Sequence, residues 1–135
     1  MAFRPYLFFG GNCRDAFTRY EEIFGGELVL LSMKDAPGEP PPGASPDTII
    51  HAAITIGDNV LMGSDDPTAE SFGPVQGMMV SYDATDVDDA KRVFGALSEG
   101  GMVTQTLQAT FFSAAFGMCT DRFGTPWMIV APEAS

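Results

Sequence analysis

The sequence predicts an α+β fold: two βαβββ modules in a single domain spanning residues 1–135, at about 3–66 and about 76–132. Three observations carry that prediction. A length of 135 residues suits one domain. Apolar runs and glycine-closed helical patterns follow the order strand, helix, three strands, and the order occurs twice. The residues repeat as well. Asp15-Ala16, Tyr20 and Ile23 return as Asp89-Ala90, Phe94 and Leu97 at a constant offset of 74. His51-Ala52-Ala53-Ile54 matches Ser113-Ala114-Ala115-Phe116 at an offset of 62, as a proline-rich insertion in the first module would produce.

Each element has its own local reason. Residues 3–9 are apolar and aromatic and read as a buried strand. Gly10-Gly11 interrupts them, and Asn12 offers an N-cap to a helix over 13–24. Ala16, Phe17, Tyr20, Ile23 and Phe24 share one face of that helix, leaving Arg14, Arg19, Glu21 and Glu22 to water. Gly25-Gly26 ends it, and a second strand follows over 28–33. Residues 35–47, with five prolines and two glycines, read as a loop. A strand over 49–56 turns through Gly57-Asp58-Asn59 into another over 60–63. A polar loop over 65–74 leads to the second module's first strand near 78–82. There a helix from Asp86 to about Glu99 turns Ala90, Val93, Phe94 and Leu97 inward, and Gly100-Gly101 stops it. Strands near 102–107, 114–120 and 126–131 complete the plan.

Composition excludes several functions. Seven basic residues against 18 acidic ones give a formal net charge of −11. A nucleic-acid or anionic-membrane partner needs a cationic face, so neither is expected. No apolar run approaches the roughly 20 residues that span a bilayer. The opening Met1-Ala2-Phe3-Arg4-Pro5 lacks the charged and then apolar pattern of a secretory leader. Cys13 and Cys119 form neither a disulfide framework nor a metal-binding pair, and a cytoplasmic setting is expected.

The motifs narrow the field further. Pro5-Tyr6-Leu7 with Gly11 to Ala16, then His51-Ala52, Ile56-Gly57-Asp58, Leu61-Met62 and the acid Asp65, resembles the PhnB-like branch of the glyoxalase/bleomycin-resistance/dioxygenase (vicinal oxygen chelate) superfamily. The block Thr110-Phe111-Phe112, Phe116-Gly117, Thr120 to Gly124 and Pro126-Trp127-Met128 is its most specific part. The resemblance implies that each module curls into a half-barrel and that paired modules enclose a ligand cavity. It also implies a homodimer, as small members commonly pair across chains. Many relatives bind a divalent metal through four side chains, one from the first and one from the last strand of each module. Carried onto this sequence, those positions fall at Pro5, Met62, Met79 and Met128. Proline has no donor and thioethers suit only soft ions, so no metal and no cofactor is expected. The Glu and His that this branch often carries near 109 and 114 are replaced by Ala109 and Ala114. Some relatives bear a ubiquinone-methyltransferase label, yet no Gly-rich nucleotide loop follows a strand here.

What remains is a cavity for an unknown small molecule. Met62, Met79, Phe111, Phe112, Phe116, Trp127 and Met128 are the candidate ligand-binding residues, and the same side chains could instead fill core or interface. His51, the single histidine, is the candidate acid or base. Its competing role is structural, with the ring bonded to backbone near the proline-rich loop. Cys13, in the first helical turn, could be an activated thiol or plain packing. Asp121 reads as a turn former. Two functions follow from the same residues: a metal-free small-molecule-binding protein, or a metal-independent lyase or isomerase using His51.

Overall fold

The computed structural model describes residues 2–35, 37–38, 45–66 and 75–133. Most of the proline-rich loop and most of the polar loop near 70 lie outside these residues. The chain divides into two compact units, Met1–Phe72 and Gly73–Ser135.

The first unit contains β1 (Tyr6–Phe9), α1 (Cys13–Phe24), β2 (Glu27–Ser32), β3 (Ile49–Ile56) and β4 (Asn59–Asp65), with a short 3-10 turn at Met33–Asp35. Its sheet runs β1-β4-β3-β2, with β1 parallel to β4 and the other pairs antiparallel. Helix α1 has the bounds its apolar spacing predicts, and it buries Ala16, Phe17, Tyr20 and Ile23 against the sheet. Phe17 meets Phe9 and Tyr20 edge to face, with ring centroids 6.0 and 5.5 Å apart. Gly63 lets Phe17 come this close. A Cβ there would lie 2.7 Å from the Leu7 carbonyl and 2.9 Å from Phe17 Cε1.

The helix start departs from expectation. Asn12 occupies the N-cap position but makes no side-chain cap. The capping oxygen comes from Asp65, the last residue of β4. Its Oδ1 accepts from the backbone N–H of Gly11 (3.1 Å) and Cys13 (3.0 Å), and its Oδ2 from that of Ile49 (3.0 Å). Asp65 is therefore a buried strand residue tying three segments together, and not part of a polar loop. A carboxylate brought in from 52 residues away satisfies the first orphan donor of the helix, the Cys13 N–H, which sequence-local capping rules do not anticipate.

The second unit contains β5 (Val80–Asp83), α2 (Val87–Ser98), β6 (Met102–Gln108), β7 (Phe116–Thr120) and β8 (Pro126–Val130). Its sheet order, β5-β8-β7-β6 with β5 parallel to β8, reproduces that of the first unit. Here the cap is local: Asp86 accepts from the Asp89 N–H at 2.7 Å. Ala90, Phe94 and Leu97 are buried on α2 as Ala16, Tyr20 and Ile23 are on α1, so the repeated residues hold repeated positions.

The strands keep a slightly different count. Tyr6 stands in register with Met62 in the first unit, and Ser81 with Met128 in the second. The duplicated strands are thus one residue out of step with the duplicated helices.

Candidate functional site

Strand alternation divides each sheet into a helix-covered face and an opposite face. In the first unit Leu7, Phe9, Ala52, Ile54 and Gly63 lie under α1 and are buried. The opposite face carries Tyr6 and Phe8 from β1, with Met62 and Ser64 from β4. Val29 and Leu31 from β2 and His51 from β3 join them, Leu31 pairing with His51. Several of these apolar groups remain uncovered: Tyr6 is 37% exposed and Phe8 57%. A sheet built for one helix buries one face and leaves the other available.

His51 sits on this open face, half-buried. Its Nδ1 lies 3.3 Å from the Tyr6 hydroxyl, and the two ring centroids are 5.8 Å apart. Tyr6 in turn leans on Phe8, at 5.3 Å between centroids. The structural alternative for His51, a bond to backbone near the proline-rich loop, is not what the described residues show; the partner is a side chain across the sheet. Tyr6 is the residue that sequence reasoning missed. Its signal was present in the alternation Tyr6, Leu7, Phe8, Phe9, where two aromatics must face away from the core if Leu7 and Phe9 face it.

The register also corrects the candidate metal positions. Tyr6, not Pro5, shares a face and a register with Met62. In the second unit Ser81 stands opposite Met128, and Met79 precedes β5. Within each unit the donors do not suit a divalent Zn, Ni, Mn or Fe ion: a phenol already engaged with His51 beside a thioether in the first, a serine hydroxyl beside a thioether in the second. Among the described residues no three His, Cys, Asp or Glu side chains cluster closely enough to hold a metal.

The other candidate residues separate into two groups. Gly117 lies against Phe94 of α2, which puts its strand neighbours Phe116 and Met118 on the face away from the helix, together with Met128. Phe116 begins an edge-to-face ladder, 5.0 Å to Phe112 and then 5.2 Å to Phe111. Phe111 ends that ladder 97% exposed. Trp127 does not join them. It pairs with Cys119 on the α2 side, is only 2% exposed, and its indole N–H donates to Asp121 Oδ2 at 2.9 Å. Trp127 is a core residue, because the alternation that turns Met128 outward turns its neighbour inward.

Asp121 has the turn role its sequence suggests, with Oδ1 accepting from the N–H groups of Phe123 (2.9 Å) and Thr125 (3.0 Å). Ser113, matched in sequence to His51, plays another part. It is buried, with Oγ 2.8 and 2.6 Å from the carbonyl oxygens of Ala115 and Ala131.

Neither cysteine is activated. Burial, reinforced by the Asp65 charge, pushes the Cys13 thiol up to about 12, and burial with Asp121 nearby pushes Cys119 up to about 11. A helix N-terminus ordinarily favours a thiolate. Asp65 cancels that advantage by placing a negative charge on the same amides.

Comparison with known proteins agrees with this architecture. The family model described as 3-demethylubiquinone-9 3-methyltransferase matches residues 1–130. Protein YjdN of Escherichia coli (strain K12) is 35% identical over 140 residues, covering 96% of this chain and 94% of that protein. Protein PA1353 from Pseudomonas aeruginosa superposes with a TM-score of 0.90 at 40% identity, covering 99% of both chains. A Bacillus cereus structure described as a putative 3-demethylubiquinone-9 3-methyltransferase, PhnB protein, shares the fold. Its TM-score is 0.81 at 24% identity, over 97% of this chain and 99% of that one. The βαβββ half-barrel unit is common to these structures and to both units of this chain.

Proposed function

Because this chain belongs to the PhnB-like branch of the glyoxalase/bleomycin-resistance/dioxygenase superfamily, we propose that it binds a small organic molecule, without a metal, on the sheet faces turned away from the helices. The observation that carries the reading is the composition of the face where metal-dependent relatives would hold their ion. Tyr6 and Met62 stand there in one unit, Ser81 and Met128 in the other. Aromatic rings and thioethers suit an apolar or cyclic ligand. Elemental analysis after dialysis should find no stoichiometric Zn, Ni, Mn or Fe. About one such metal per chain would overturn the reading.

The methyltransferase wording of the family model is not carried over. Among the described residues the Gly10-Gly11 turn into α1 is the one place where a strand runs through glycines into a helix, and Asp65 already takes its Gly11 and Cys13 amides. An anionic cofactor group would have to displace a buried carboxylate to use them.

A second reading is favoured by the Tyr6–His51 contact alone. His51 could take a proton from a carbon beside a carbonyl and return it to another atom of the same substrate. Such an isomerisation is redox-neutral and needs no co-reactant. His51→Ala would then abolish turnover while leaving the fold intact. Retained turnover would exclude it.

A further inference from the structure

We propose that Tyr6 and His51 act as one hydrogen-bonding pair that selects an uncharged, planar ligand carrying an acceptor atom, seated against Phe8 and Met62. The inference rests on the small-molecule reading above and names its ligand class. Whichever group donates across the 3.3 Å contact, the pair keeps a donor for a ligand. If the Tyr6 hydroxyl donates to Nδ1, the ring proton is on Nε2 and can be offered outward. If Nδ1–H donates to the phenol oxygen, the hydroxyl proton is the free donor. Either arrangement favours a ligand with a carbonyl, amide or ring-nitrogen acceptor.

Charge decides the rest. Apart from His51 itself, the strand residues of this face that surround the pair (Phe8, Met62, Ser64 and Leu31) carry no ionisable group. The one carboxylate strand residue on the face is Glu27, at the far end of β2 in register with Thr55. Among the described strand residues of this face there is no lysine or arginine to hold an anion, and the chain carries a net charge of −11. A cation would lose water without gaining a carboxylate. A flat uncharged ring meets neither penalty. The exposed faces of Tyr6 and Phe8, tilted 47° to each other, give it a surface to lie on.

The single histidine makes the test direct, because every imidazole signal in the NMR spectrum belongs to His51. Benzamide, benzoate and benzylamine are titrated at neutral pH, following the His51 ring and the Met62 methyl. Benzamide should shift both and bind about tenfold more tightly than either ion. Tyr6→Phe and His51→Ala should each weaken benzamide by about fivefold, and the double variant should be no weaker than the single ones, since the pair acts as a unit. Equal binding of the three probes, or undiminished binding to Tyr6→Phe, overturns the pairing while the ligand face survives. No shift at His51 or Met62 with any probe overturns both.

Discussion

Asp65 shows how much a single side chain can carry. It holds the β1–α1 turn, the first turn of α1 and the start of β3, the strand that presents His51 two residues later. Asp65→Ala leaves three backbone donors without their acceptor and should cost about 3 kcal/mol in urea unfolding. A loss under about 1 kcal/mol would show that water replaces the carboxylate. Gly63→Ala should cost a comparable amount, about 2 kcal/mol, because its Cβ would press on the Leu7 carbonyl as well as on Phe17. His51→Ala should cost under about 1 kcal/mol, since the Tyr6 hydroxyl it leaves is partly exposed and can turn to water. The thiols offer a further check. With Cys13 near 12 and Cys119 near 11, both fully buried, neither should react with a disulfide reagent at pH 8 until the protein unfolds. Rapid native labelling of Cys13 would revive the activated-thiol reading.

The elements were largely legible in the sequence, and the exceptions share a cause. Both helices, the hairpin at Gly57 and the strand Ile49–Ile56 follow from periodicity and glycine punctuation, which are local signals. Asp65 as a cap, Tyr6 as the partner of His51 and Trp127 as core depend on strand register, which connects residues 45 or more apart or turns on a single step of alternation. Counting from a family motif placed the first-strand position at Pro5, one residue from the face it was meant to mark.

The start of α2 gives an element-scale prediction. Burial works to raise the Asp89 carboxyl, but hydrogen bonds from the Tyr82 hydroxyl, the Thr85 N–H and Arg92 more than offset it, leaving it below the ordinary value of 3.8. That stabilisation is complete above pH 3.8 and is lost as pH falls through the lowered value. Burial and the same Asp89 bond push Tyr82 up to about 12, so its contribution is complete below pH 10 and fades as pH rises toward 12. Asp89→Asn should remove the Asp89 contribution to the acid limb of the stability–pH curve and shrink the alkaline limb, part of which persists because Tyr82 stays buried. Unchanged limbs would place the titrating groups elsewhere.

At the scale of the whole molecule, two units with the same sheet order each leave a face uncovered by their own helix. Away from the Tyr6–His51 face, Phe3, Met102, Val103 and Phe111 also stand exposed, apolar surface that a second copy can cover. A homodimer is therefore expected, and light scattering at micromolar concentration should give twice 14.4 kDa. A mass near 14.4 kDa would contradict it. Among the described residues no helix is long and apolar enough to cross a membrane.

The central claim is that this half-barrel protein receives its ligand on aromatic and thioether side chains where metal-dependent relatives hold an ion. A crystal structure from crystals grown with zinc chloride and benzamide, with data collected at the zinc edge, tests it most directly. The account predicts planar density against Tyr6, Phe8 and Met62, an acceptor atom within hydrogen-bond distance of the Tyr6–His51 pair, and no anomalous peak on that face. A zinc peak beside Met62 or Met128, with the amide oxygen as one of its ligands, would contradict it.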